Sequence, residues 1–295
     1  MNNFNINSVA LITEFNASVW TARKLDRKVT DDVVHNAGAA SKGAARVNKN
    51  LLAGRPELEE IASHVTATRQ YVYGNTMPWS DTGQRLLPTV RFPVFNARMD
   101  DFKDKFDALV DGFVTVYPTL ITAQAMALGS MFSRADFPTA GEIAHRFAFS
   151  CDYLPVPVAG DLRVDVGNQA QDELRAKLAQ LSEARIEKAM LDVTTRFTEH
   201  LRRMADRLVV DTDPKTGEPV GRRFTETLVS GAFELCDLLK DCNMREDTTL
   251  TQARMVMEKA LSGVTAVSLR DDHAKRAEVR GAVSNILGQF KFSGV

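Results

Sequence analysis

The clearest pattern in the chain is a helical recurrence of apolar positions in its C-terminal half. From Asn168 to about Val210, the residues Leu174, Leu178, Leu181, Ala189, Val193, Phe197, Leu201, Met204 and Leu208 fall on one stripe with charges between them. No proline and no internal glycine breaks the run, so one helix about 60 Å long is predicted. A helix of that length needs partners along it, in a coiled-coil arm or a bundle. The stretch DTDPKTGEP, residues 211–219, reads as a turn. Phe224, Leu228, Leu235, Leu238 and Leu239 then predict a returning helix. Two more are predicted over 247–262 and 271–290, each opened by acids suited to a helix start.

The N-terminal half mixes periods. NSVALITEFNASVW, residues 7–20, is rich in β-branched and aromatic side chains and reads as a strand. Residues 30–52 are rich in Ala, Val and Lys and predict a helix weakened by Gly38 and Gly43. Pro56 followed by Glu57, Glu59 and Glu60 opens a helix that should run to Tyr73. GNTMPWSDTG, residues 74–83, is a cluster of turn formers, and RLLPTVRFPVF (85–95) is extended, with Pro88 and Pro93 pointing to an edge strand or irregular ribbon. Phe102, Phe106, Leu109, Phe113, Val116 and Leu120 mark an amphipathic helix over 97–132 that Pro118 should kink or interrupt. A helix over 139–149 and a strand over 153–167 follow, the latter expected to pair with 85–95. The fold class is therefore mainly α, a long helical hairpin or bundle with a small β element. The expected domains are 1–167, an α+β region, and 168–295, a helical region.

Composition changes this picture little. In 295 residues, 44% are hydrophobic and 25% charged, and 37 basic against 38 acidic residues leave a net charge of -1. No global field draws such a chain to nucleic acid or anionic lipid, so such binding needs a local patch. The polar N-terminus and the lack of a long apolar run point to a cytoplasmic protein without membrane spans. Cys151, Cys236 and Cys242 are too few and too spread for a disulfide framework and read as buried thiols.

Familiar catalytic and cofactor motifs do not form. GAASKGAAR, residues 38–46, has two glycines at phosphate-loop spacing, but Ala44 and Ala45 stand where the loop needs Lys and Ser or Thr. The five histidines lie in five separate segments and make no ligand pair, Asp100-Asp101 and Asp271-Asp272 read as helix-start acids, and no GxSxG elbow occurs. A non-enzymatic protein without cofactor or metal is the expectation.

The cationic stretch NAGAASKGAARVNKNLLAG, residues 36–54, contains no acid. On a helix, Lys42, Arg46 and Lys49 would share a face. With Arg23 and Lys24 upstream, and Trp79 and Arg85 beyond, they form the candidate site of one functional reading: a single strand held by cations and stacked on aromatics. The competing reading is an oligomer-forming scaffold whose cationic face is solvated or meets an acidic face of another subunit. A third, in which the Phe-rich stripe of 102–120 inserts into membranes, is the least favoured, because any buried helix shows the same stripe.

SVWTARKLDRKVTDDVV (18–34), with its W-x-x-R-K-L element of Trp20, Arg23, Lys24 and Leu25, continuing through 63–88 and the helix carrying Phe102, Phe106, Phe113 and Tyr117, resembles a phage and proteobacterial family of no assigned activity. Genes of that family often sit beside those for a MoxR-type AAA+ ATPase and a von Willebrand A-type protein related to cobaltochelatase subunits. The resemblance implies a phage accessory or structural protein in the bacterial cytoplasm, self-associating, with an AAA+ ATPase partner. It brings no catalytic residues. The alternative is a single-stranded nucleic-acid binding or annealing protein.

Overall fold

The fold is mainly α-helical with a small antiparallel sheet. The computed structural model describes residues 6–41, 43–157, 168–212, 219–223, 225–243 and 246–289. A single helical turn, α1 (Ile6–Val9), leads into β1 (Ala10–Ser18). Then come β2 (Arg23–Leu25), α2 (Arg27–Asn36), β3 (Asn48–Asn50), α3 (Pro56–Asn75), β4 (Met77–Pro78) and β5 (Arg85–Pro88). They are followed by α4 (Phe92–Leu128), α5 (Ala140–Ala144) and β6 (Ala148–Pro155). The rest comprises α6 (Asn168–Arg207), β7 (Val210–Thr212), β8 (Pro219–Gly221), α7 (Thr227–Cys242), α8 (Thr248–Leu261), α9 (Ala266–Asp271) and α10 (His273–Gln289). Among the described residues, no helix is long and apolar enough to cross a membrane.

Contacts divide the chain into two compact units that interleave along the sequence. One comprises Phe15–Gly74 and Phe95–Asp152, and the other the described residues of Met1–Glu14, Asn75–Val94 and Tyr153–Val295. The boundary expected at 167/168 adjoins residues outside the description.

In the first of these units, α3 starts as its sequence dictates, with Pro56 at the first position and Glu57 and Glu59 in the first turn. The aromatic stripe of α4 is its core: Phe106, Phe113 and Tyr117 are buried among Trp20, Leu51, Ile61 and Ile143. Trp20 stands edge-on to Tyr117 at 5.8 Å, and Phe113 packs on Phe147 at 5.5 Å. The face considered for membrane insertion is thus consumed internally. Pro118 does not interrupt α4, which continues to Leu128. Its ring lies exposed, on the outer side of the helix. The helix expected over 139–149 is only five residues long, held by a capping box between Thr139 and Glu142 before the chain becomes β6.

The helix expected over 30–52 does not form as one element: α2 and β3 share that stretch. Helix α2 starts earlier, capped by Asp26, whose carboxylate accepts from the Val29 amide at 3.1 Å. It stops at Asn36, and Gly38 follows in the left-handed region with φ 62°. The chain then turns back. Thr30 ties the return by donating to the Asp26 carbonyl at 2.6 Å and accepting from the Val47 amide at 3.0 Å. Antiparallel pairing of β2 with β3 sets Lys24 directly opposite Lys49.

The other unit is a helical bundle. Along α6 and just past its end, Ile186, Ala189, Val193, Phe197, Leu201, Met204 and Leu208 are all buried, and the helix is covered by α7, α10 and β4 of the same chain. The long apolar stripe therefore pairs within the chain from Ile186 onward. Helix α7 approaches α6 closely at Gly231, where an added Cβ would sit 3.0 Å from the His200 ring. Strands β7 and β8 form a hairpin where only a turn was expected, with Val210 opposite Gly221. Residues 213–218 are outside the description.

The main sheet runs β4-β5-β1-β6. Ala10 faces Pro88 and Thr13 faces Arg85 across the β1–β5 pair. Strand β5 is therefore internal, not an edge, and Pro88 is tolerated because it is the strand's last residue. Pro93 belongs to the first turn of α4, where a missing N–H costs nothing. The neighbour of β6 is β1 rather than 85–95, and residues 158–167 of the predicted strand lie outside the description.

Candidate anion-binding cleft

The cations nominated by the sequence do not share a helix face. Lys49 is on β3, Arg46 is exposed in the loop before it, Arg23 and Lys24 are on β2, and Lys42 lies outside the described residues. Two lysines facing one another across a strand pair repel unless a counter-charge intervenes. Asp136 supplies it: its carboxylate is 2.5 Å from Lys49 and 3.0 Å from Lys24. Lys49 further meets Asp26 at 3.5 Å and donates to the Met131 carbonyl at 2.9 Å. Its hydrogen bond with Asp136 raises the Lys49 pKa against the opposing effect of burial. Burial by itself would raise the Asp136 carboxyl, and the two ammonium groups outweigh it and hold the group below the usual range. This is a neutralised ion cluster that fastens the β2–β3 pair to the segment around Asp136. The other two nominees belong to the bundle unit. Trp79 is 2% exposed and covered by Arg185, whose guanidinium lies 5.4 Å from the ring centre, so its faces are not offered for stacking. Arg85 donates to the Thr76 hydroxyl at 3.0 Å and carbonyl at 2.8 Å, bracing the turn before β4.

A different cationic surface forms in the bundle unit. Arg202, Arg203 and Arg207 project from the last turns of α6, Arg223 follows β8, and Thr225, Thr227 and Leu228 open α7. Together with His200 and Asp206 they line a cleft of about 600 Å³, within the size range of ligand sites. The three α6 arginines follow from the periodicity: they occupy positions between the buried Leu201, Met204 and Leu208, at a helix end whose dipole favours cations. Among the described residues, no carboxylate pairs with Arg202, Arg203, Arg207 or Arg223. The one acid in the lining, Asp206, is engaged by Arg222 at 2.6 Å. The result is concentrated positive charge on a concave wall, the arrangement that focuses a field on an anion.

His200 forms the floor. It is 7% exposed, and its Nε2 donates to the Leu228 carbonyl at 2.9 Å, which fixes α7 against α6. Burial above all, with help from Arg203, depresses its pKa against the effect of that hydrogen bond, so the ring is neutral at pH 7. His64, in the other unit, is likewise a core histidine bonded to a carbonyl, that of Phe102 at 2.8 Å.

Arg276, from the first turn of α10, holds the walls together. Its side chain donates to the carbonyls of Arg207 and Arg222 at 2.6 Å each, and to those of Leu208 at 3.3 Å and Val209 at 3.4 Å. It is 2% exposed. Gly221 is required beside it, because a Cβ there would overlap the guanidinium. One buried arginine thus satisfies carbonyls at the C-terminal end of α6 and ties the hairpin to that helix.

The signal for this cleft was present in the sequence as the paired arginines 202–203 and 222–223 with Arg207 between them. Within a helical stripe such charges read as a solvated face, and only the returning hairpin brings Arg223 to the wall formed by Arg202, Arg203 and Arg207. Comparison of the chain with protein-family models, with curated proteins and with solved structures finds no match in any of the three.

Proposed function

We propose that the protein is a non-enzymatic accessory protein that holds the phosphodiester backbone of single-stranded nucleic acid in the arginine cleft of its bundle unit. The observation that carries this reading is that four arginines, without carboxylate partners among the described residues, line one concave surface. Guanidinium forks match phosphate oxygens in geometry and charge. The hydroxyls of Thr225 and Thr227, at the same wall, suit further phosphate contacts. A concave site admits a flexible strand more readily than a duplex, whose phosphates lie on a convex cylinder. His200 is neutral and committed to a carbonyl, and Asp206 is committed to Arg222, so neither is poised for acid–base work, which supports binding over turnover.

Fluorescence anisotropy of a labelled single-stranded oligonucleotide tests it. Saturable binding at low salt is expected, lost in Arg203→Glu with Arg207→Glu and kept within about twofold in Arg46→Glu, since the latter cation lies outside the cleft. Binding that follows Arg46 instead would return the function to the N-terminal strip.

Self-assembly is a second reading favoured by α6 itself. Its first turns carry Leu174 and Leu178 half-buried and Leu181 45% exposed, an apolar line ahead of the part that the bundle covers. Light scattering of wild type and Leu181→Glu decides it: a multimer that the variant dissociates supports assembly through this arm, and a monomeric wild type excludes it. The phage setting and ATPase partner rest on the family resemblance alone and belong with this second reading.

A further inference from the structure

We infer that Arg276 is the positioning residue of the anion cleft, acting on the ligand through Arg223 and Arg207 without touching it. The inference rests on the proposal that the cleft binds phosphate. Three elements meet here that the sequence keeps far apart: the end of α6, the hairpin exit and the start of α10. Arg276 accepts no role in the lining, being buried behind it, yet its guanidinium bonds the carbonyl of Arg207, a lining residue, and that of Arg222, the residue before the lining Arg223. The backbone at both attachment points is thereby fixed relative to the other. Arg222 is further constrained on the outside, where its amide donates to the Val209 carbonyl at 3.4 Å and its side chain reaches Asp206 and Asp211. Arg223 therefore leaves a clamped residue and reaches the cleft from a defined direction. A phosphate site gains from such preorganisation, because the side chains that grip the anion lose less freedom on binding.

Lysine cannot take this role. It keeps the charge but presents one ammonium in place of a planar fork, so it cannot serve the Arg207 and Arg222 carbonyls and their neighbours together. The test is a double-mutant cycle on single-stranded oligonucleotide affinity, with wild type, Arg276→Lys, Arg223→Ala and the double variant. Arg276→Lys is expected to weaken binding about tenfold and to lower the salt slope by about one phosphate contact. In the Arg223→Ala background the same change should cost clearly less than about tenfold, because one of the two groups it positions is already gone. Fold-losses that multiply would overturn the inference while leaving the cleft in place, and so would unchanged affinity in a folded Arg276→Lys protein. No binding by the wild type overturns the cleft and the inference together. If Arg276→Lys does not fold, the wild type decides through the Arg276 Nε–H resonance, held by the Leu208 carbonyl. Preorganisation requires that side chain to be rigid before any ligand is present, so the resonance should show restricted motion in the free protein, and a guanidinium that stays mobile until oligonucleotide is added overturns the positioning role.

Discussion

Replacing Lys49 by methionine separates the structural and the functional accounts of the N-terminal cations. The substitution keeps the length of the side chain and removes its charge. It leaves Asp136 with Lys24 at 3.0 Å, and Asp26 with the Val29 amide at 3.1 Å. Removing one member of a buried ion pair costs about 3–5 kcal/mol, and exposed pairs contribute about 0–1 kcal/mol. The side chains of Lys49 and Asp136 are 10% and 14% exposed, closer to the buried case, but each orphaned carboxylate keeps a partner. A loss of roughly 2 kcal/mol is therefore expected. Urea unfolding followed by tryptophan fluorescence measures it, with Trp20 reporting from the core of the same unit. The difference should depend on pH in a defined sense. Asp136 has a folded pKa below its unfolded value, so its contribution is complete above the ordinary aspartate range and is lost as pH falls through it toward the folded value. The difference between wild type and variant should begin to shrink below about pH 4 and vanish only below the depressed folded value. Oligonucleotide affinity should change by less than twofold. Unchanged stability together with a large loss of affinity would refute this reasoning and restore Lys49 to a binding surface.

Two further outcomes follow from buried groups in the bundle unit. The folded pKa of His200 is depressed below its unfolded value, so the unfolded chain binds the extra proton first; stability should be full above about pH 6.5 and decline as pH falls below it. A His200→Gln variant with a flatter stability profile between about pH 7.5 and 5.5, one unit to either side of that value, confirms the assignment, and an identical slope removes it. Burial pushes the thiols of Cys236 and Cys242 up to about 12, so a thiol reagent at neutral pH should leave both unlabelled until the protein unfolds. Fast labelling of either in the native protein would mean that the bundle opens there.

What could be read from the sequence was what a single local period decides. The span of α6 was legible because nothing between Asn168 and Arg207 breaks its recurrence, and α3 and α8 were legible from Pro56 and from Asp247, which caps α8 through the Thr249 and Leu250 amides. The stretch around Lys42 was misread because Ala and Lys favour helix in isolation. Its course is set by Gly38 and by tertiary bonds from Thr30 that no propensity encodes. Trp79 and Arg85 were assigned to a surface from residue type, whereas the packing of α6 over the β4 turn covers the one and hydrogen bonds to Thr76 engage the other. The cleft itself was invisible for a related reason: Arg207 and Arg223 approach only because Arg276, more than fifty residues further on, gathers the carbonyls of Arg207 and Arg222.

Phosphate binding in the arginine cleft shows most directly in the salt dependence of single-stranded oligonucleotide affinity. Neutralising Z phosphates of a single strand gives a slope of about -0.7Z in log affinity against log salt. With the four arginines of the cleft engaged, affinity should fall about 50-fold between roughly 50 and 200 mM salt. Arg203→Ala with Arg207→Ala, which leaves two of the four, should reduce that fall to about sevenfold. Wild-type binding that is absent at the lower salt, or whose slope is the same in the double variant, would contradict the account.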